Sequence, residues 1–247
     1  MESVIEYRSA AARDRTDAEG RTTWHSFSFG ANYDPGNTGF EQLVAHNEET
    51  LPPGTGYPDH PHSDLEIVTW VLTGALRHTS ATGSAVIGPG QVQRLRAGTG
   101  VVHSEVADGA EPTRFLQAWI RPDESGLPPH YLSADVPQAD GWTVVADGNG
   151  SGGVPLAARG VSLQVADLEA RRGLALPGAP RLHVFVAAGE VLLGERVLHA
   201  GDAGRLLEEG GRELTAETDS QLLVWSFERV RAPERPGSAR RWGRARP

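Results

Sequence analysis

The chain has 247 residues, no cysteine, one methionine and 23 basic residues, every one an arginine. That inventory excludes disulfides, thiolate metal sites, iron–sulfur clusters and cysteine nucleophiles. With no lysine it also excludes Schiff-base catalysis and Walker-type phosphate loops. The formal charge of −9 argues against direct nucleic-acid binding by the body of the protein. Any metal must be held by histidine, carboxylate, amide or backbone oxygen. The missing lysines read as the codon composition of a GC-rich genome.

The N-terminus, Met-Glu-Ser-Val-Ile-Glu, has no basic region followed by an apolar core, so no secretory signal is expected. No apolar run approaches the roughly 20 residues of a membrane helix. The expected setting is cytoplasmic. Hydrophobic residues at 38% and charged residues at 22% suit a soluble globular protein. The 30 glycines and 17 prolines divide short aliphatic runs into the strands and turns of an all-β sandwich or jelly-roll barrel.

Gly54-Thr55-Gly56-Tyr57-Pro58-Asp59-His60-Pro61-His62 comes first among the informative segments and leads into a strand over Ile67–Leu72. Thr73-Gly74-Ala75-Leu76 opens a hairpin, and Pro89-Gly90 precedes a strand over Gln91–Leu95. Ala97-Gly98-Thr99-Gly100 then turns the chain into Val101-Val102-His103-Ser104-Glu105. A further strand, Phe115–Ile120, places Gln117 and Trp119 on one face, either lining a pocket or in the core. From Pro122 to Gly160 the pattern weakens, and Asp147–Gly153 reads as a surface loop.

The punctuation then recurs. Gly74 matches Gly189 and Gly90 matches Gly201, at offsets of 115 and 111 residues. A near-constant offset is the trace of an internal duplication. The expected organisation is a first domain over residues 1–133, a second over 134–230, and an arginine-rich, disordered tail over 231–247.

His60 and His62, and likewise His103 and Glu105, stand at i and i+2. Residues so spaced project from the same face of a strand. If the two strands meet inside one barrel, three imidazoles and a carboxylate converge, a donor set for a divalent transition metal with open positions. A lone His-x-His pair can equally sit in a turn with both rings in water. Two such pairs, each beside a glycine-rich turn, favour the metal site. The offsets carry the four positions onto Ala175, Pro177, Leu214 and Ala216, so the second copy lacks the ligands. His183 and His199 there read as ordinary surface or strand histidines, His25, His46 and His78 as structural, and His130 as exposed.

The run His60-Pro61-His62 with Leu65–Gly74, and Ala97–Glu105, resembles the pirin family of the cupin superfamily. The likeness extends to Trp24–Gly30, Tyr33-Asp34-Pro35, Gly39-Phe40 and Phe115–Ile120. It covers the N-terminal half by motif and the C-terminal half by repeat architecture alone. The resemblance implies two tandem cupin (jelly-roll β-barrel) domains with one metal, Fe(II) by expectation (Mn, Co, Ni or Cu being the alternatives), in the first barrel. It implies His60, His62, His103 and Glu105 as ligands. General cupins often use a glutamate placed like Glu66 as the fourth ligand, and Glu66 stays open as that alternative or as a neighbour of the ligands.

Bacterial pirins of this pattern act on flavonols such as quercetin. The resemblance thus implies a quercetin 2,3-dioxygenase-type oxidoreductase using dioxygen and a flavonol-like substrate, with Glu105 both ligand and base. The other implied function is a metal- or redox-responsive regulator that binds a transcription factor or metabolic enzyme through a protein surface without turnover.

Overall fold

The computed structural model describes residues 4–31, 33–137 and 139–229. The expected arginine-rich tail over 231–247 lies outside the described residues. Among the described residues, apart from one 3-10 turn, Ala10–Ala12, the regular elements are all strands. They form two seven-stranded and two four-stranded sheets.

In the first half, the large sheet runs His130–Asp135, Gln91–Arg96, Glu66–Thr73, Thr113–Ile120, Leu43–Leu51, Arg21–His25, Asp14–Ala18. Its small sheet runs Gly56–His62, Val101–Ala107, Leu76–Ser80, Gly83–Ile87. The second half repeats the plan. Its large sheet runs Val4–Arg8, Ala203–Leu207, Arg181–Ala188, Ser220–Phe227, Val161–Leu168, Thr143–Asp147, Val154–Pro155. Its small sheet runs Gly173–Ala175, Glu213–Ala216, Glu190–Leu193, Arg196–His199. The first strand thus pairs with the second half, Val4 to Arg8 against Leu207 to Ala203, whereas sequence order alone places residues 4–8 in the first domain.

The matched glycines do matched work. Gly74 and Gly189 both have positive φ, +74° and +78°. A side chain at either would run into the backbone of the adjacent strand, at Thr113 and Ser220 respectively. Left-handed backbone and close approach together call for glycine, which is why the turn survives in both copies.

Alternation along the strands sorts side chains to two faces. The outward faces of the two large sheets share one apolar cluster, with Val68, Trp70, Leu116 and Ala118 from the first half and Leu163, Phe185, Leu223 and Trp225 from the second. Inside the second barrel the core is continuous: Leu182, Val184, Val186, Leu206, Leu214 and Val224 belong to one cluster. Inside the first barrel it is not. Leu51, Val71, Leu76 and Phe115 form one cluster, Ile67, Leu95, Ala97 and Val101 another. The buried side chains belonging to neither are polar: Glu49, Thr69, His78, Gln93, His103 and Glu105. A polar layer in a barrel interior is costly unless its groups are paired or hold a ligand.

The register shows what the duplication lost. Thr69 lies opposite Gln93 on one side and Gln117 on the other. The equivalent Val184 lies opposite Gly204 and Val224. The polar row of the first barrel has become glycine and valine in the second.

Candidate metal centre

Gly56–His62 and Val101–Ala107 pair antiparallel, with His103 opposite His60 and Val101 opposite His62. The register slips between His103 and Glu105, a bulge that re-aims side chains locally. Gly56 has no room for a side chain here, because a Cβ would lie 2.0 Å from the Glu105 carbonyl oxygen.

This pairing brings the three expected histidines together. His60, His62 and His103 each offer a nitrogen within 4.8 Å of the others. Ring centroids are 4.3 Å apart for His60 and His103, and 4.9 Å for His60 and His62. Glu105 enters through a second group, His78, His103 and Glu105, that meets the same limit. His103 is common to both groups.

Hydrogen bonds decide which ring nitrogens are free. His60 Nδ1 lies 2.8 Å from the Pro58 carbonyl oxygen, so Nδ1–H donates there and Nε2 is left with its lone pair. His103 Nδ1 and His78 Nδ1 are 3.3 Å apart, and His78 Nε2 is 3.1 Å from Ser80 Oγ. A single chain satisfies both contacts: His103 Nδ1–H donates to His78, whose Nε2–H donates to the serine. His103 Nε2 is then buried with no partner, and such orphaned polar atoms are rare unless a ligand takes them up. Burial pushes His62 down to about 4 and His103 far lower, with the neighbouring His60 adding to both effects. Neutral imidazole is the form that binds metal.

Glu105 is wholly buried, and each carboxylate oxygen accepts one amide hydrogen bond. Gln93 Nε2 donates to Oε1 and Gln117 Nε2 to Oε2, both at 2.8 Å. The amides are themselves oriented: Tyr131 OH donates to Gln93 Oε1 at 3.1 Å, and Trp119 Nε1–H to Gln117 Oε1 at 3.2 Å. Outer partners of this kind fix a ligand's direction. Burial raises the Glu105 carboxyl to about 7 despite both donors. The set of imidazole nitrogen plus one oriented carboxylate fits a divalent first-row metal.

Glu66 does not share this environment. It stands with Val68 and Trp70 on the outward face of its strand, where its Oε2 accepts from the Ala157 amide at 2.6 Å. Its Oε1 lies 3.7 Å from buried Arg94. It ties the two barrels together.

The remaining histidines divide. His78, expected as structural, buttresses His103 and stacks on Tyr131 with centroids 4.3 Å apart. His130 and His199 are exposed. His183 lies on a strand as expected but is fully buried between the barrels, not at the surface. Trp119 lines the pocket, its ring edge-on to His62 at 5.0 Å.

The centre adjoins a cavity of about 200 Å³. Arg21, Thr23 and Phe29, from the Asp14–His25 hairpin and the turn after it, form part of its wall with Glu49 and Tyr57. Glu49 Oε2 accepts from Thr23 Oγ1 at 2.6 Å and Tyr57 OH at 2.8 Å. Glu49, Gln93 and Tyr57 were not foreseen in these roles. A usable signal existed for the polar row, since Thr69 and Gln117 are lone polar residues at inward positions of apolar strands.

Burial pushes the Glu49 carboxyl up to about 7, outweighing its two hydroxyl donors. An unfolded glutamate titrates near ~4.3. Between those values the folded protein holds a proton that the unfolded chain releases, so stability falls as pH rises through that window. Glu49→Gln is expected to remove the Glu49 share of this slope and leave that of Glu105. Urea unfolding should give a variant about 3 kcal/mol more stable than wild type at pH 8, a gap much smaller at pH 5. Parallel pH profiles for the two proteins would contradict the assignment.

Similarity to known proteins extends over most of the chain. A family model described as Pirin matches residues 7–120. A protein of Mycobacterium tuberculosis (strain ATCC 25618 / H37Rv) named "Putative quercetin 2,3-dioxygenase" is 41% identical over 235 residues, 92% of this chain and 96% of that protein. Quercetin 2,3-dioxygenase of Escherichia coli (strain K12) is 30% identical, covering 91% of this chain and 99% of its own. The crystal structure of a bacterial pirin from Escherichia coli in complex with nickel(II) superposes with a TM-score of 0.85 at 28% identity, over 92% of this chain and all of that one.

Proposed function

Because the chain belongs to the pirin family, we propose that it is a metal-dependent dioxygenase that cleaves a flavonol or a similarly enolisable substrate. The ligands on this reading are His60, His62, His103 and Glu105, and the expected metal is Fe(II). The observation that carries the reading is the buried, unpartnered His103 Nε2 beside His60 and His62. It adjoins the cavity of about 200 Å³ that Phe29 and Trp119 help to line.

A divalent metal bound there supplies Lewis acidity toward a substrate hydroxyl or carbonyl and redox capacity toward dioxygen. The protein's own side chains do the rest. Gln93 and Gln117 hold the Glu105 carboxylate in one orientation. On this reading the carboxylate so oriented is also the group placed to receive the proton of an enolic hydroxyl. Trp119 and Phe29, ring centroids 5.8 Å apart, offer apolar surface to an aromatic ring and limit water around the site. The second barrel, with its continuous apolar core, supports the first.

The test is oxygen uptake by the Fe(II)-loaded protein with quercetin, followed with the flavonol absorption band and carbon monoxide release. Wild type is expected to consume both substrates together, and Glu105→Ala to leave the flavonol intact. Oxygen uptake and quercetin absorption indistinguishable from those of Glu105→Ala would end the dioxygenase reading.

A further inference from the structure

A second polar centre lies between the barrels, outside the candidate metal site. Arg8, Arg13, Ser26, His183, Ala203 and Arg205 line a cavity of about 10 Å³, room for one water-sized guest. The lining comes from both halves. Arg8 ends the first strand, Arg13 follows the 3-10 turn, and Ser26 follows the Arg21–His25 strand. His183 and Arg205 stand on outward positions of the second barrel.

The three arginines share one peculiarity. Each uses its terminal nitrogens: Arg13 on Glu48 and the Trp24 carbonyl, Arg205 on Asn37, Arg8 on Glu6. In each the Nε–H is buried and has no partner. Both ring nitrogens of His183 are likewise buried and unpartnered, one a donor and the other an acceptor in the neutral ring that burial enforces. Unsatisfied buried donors are rare singly, and here four belong to residues that line one small space.

Charge points the same way. Glu6 is shared between Arg8 and Arg205, at 2.5 and 3.8 Å. Glu48 is shared between Arg13 and Arg114, at 2.8 and 2.7 Å. Asp202 accepts from the backbone amides of Ala10 and His199. Four guanidinium groups therefore face three carboxylates, with Arg13 and Arg205 buried and the Arg8–Glu6 pair partly in solvent. The apolar rings of Phe27 and Phe185 lie under Arg205 and Arg13, 4.5 and 5.3 Å from the guanidinium carbons.

A water molecule accepts about two hydrogen bonds and must place two protons of its own. This cavity is rich in donors and poor in free acceptors. A monatomic anion accepts from every side and donates nothing. We propose that the inter-barrel cavity is a halide site, occupied by chloride, which clasps the first strand and the second barrel onto the first.

The experiment compares thermal unfolding of the metal-loaded protein in chloride and in gluconate at a fixed ionic strength of about 0.15 M. Wild type is expected to unfold about 3 °C higher in chloride, because a ligand that binds only the folded state raises the midpoint. Arg205→Met should lose that shift. Arg8→Gln, at a half-exposed position where folding is not at risk, should lose most of it. Repeating the comparison with His103→Ala separates this cavity from the metal centre, and the shift should persist there. Crystals grown in bromide should show an anomalous peak between Arg205 and His183. Equal midpoints in both salts with no bromide peak would mean that water fills the cavity, and the proposal falls. It falls equally if the shift survives in both arginine variants or disappears with His103→Ala.

Discussion

Replacing His103 with alanine is expected to give a folded protein that retains less than about a tenth of the wild-type metal after dialysis, with affinity lowered more than ~100-fold. His103 is the residue common to both potential ligand groups, and its Nε2 is the buried nitrogen without a partner. Without it, His60 and His62 remain on a half-exposed strand, and Glu105 loses the imidazole that joins it to them. Loss of outer partners alone costs 10- to 100-fold in comparable sites, by rough precedent, so loss of a central ligand should exceed that. Elemental analysis and the visible spectrum of the Co(II)-substituted protein measure the effect, with circular dichroism to establish folding. Stoichiometric metal in a folded His103→Ala protein would place the metal elsewhere.

The second large effect separates two glutamates that sequence patterning leaves in competition. Glu66→Ala is expected to destabilise the protein by about 3–5 kcal/mol while leaving metal content unchanged. Removing one member of a buried ion pair strands the other, here Arg94, without compensation, and the contact with Ala157 across the barrels is lost as well. Glu105→Ala should behave in the opposite way. Relief of its disfavoured charge near pH 8 is offset by the loss of its packing and of two amide hydrogen bonds, so apo-protein stability there should change little, while metal affinity collapses. Urea unfolding of the apo-proteins, paired with metal titration of each, reads both quantities. Metal loss in Glu66→Ala with retention in Glu105→Ala would reverse the assignment.

Much of the centre is visible in local order. His60 and His62, like His103 and Glu105, share a face because side chains alternate along any strand, whatever the rest of the molecule does. The glycine punctuation repeats because Gly74 and Gly189 each need a left-handed backbone with no side chain. That the second copy has Ala175, Pro177, Leu214 and Ala216 at the positions matching His60, His62, His103 and Glu105 follows from the same offsets. The supporting layer was hidden for the converse reason. His78 meets His103, and Gln93 meets Gln117 through Glu105, across strands separated in the chain. No spacing rule links them.

Arginine and histidine illustrate the same division at the inter-barrel cavity. Composition announces that every basic residue is an arginine, yet gives no sign that Arg8, Arg13 and Arg205 meet. Their meeting requires the first strand to cross over and pair with Ala203–Leu207, a long-range contact that local propensity does not encode.

Donor chemistry, strand spacing, the twofold repeat and the family resemblance could all be read from residue order, because each depends on neighbours along the chain. Which glutamate shares the barrel interior with His103 depended on the closed barrels. Glu66 and Thr69 lie three residues apart on one strand, so alternation must put them on opposite faces. Only the packing of Val68 and Trp70 against the second barrel shows that Thr69 turns toward Glu105 and Glu66 away.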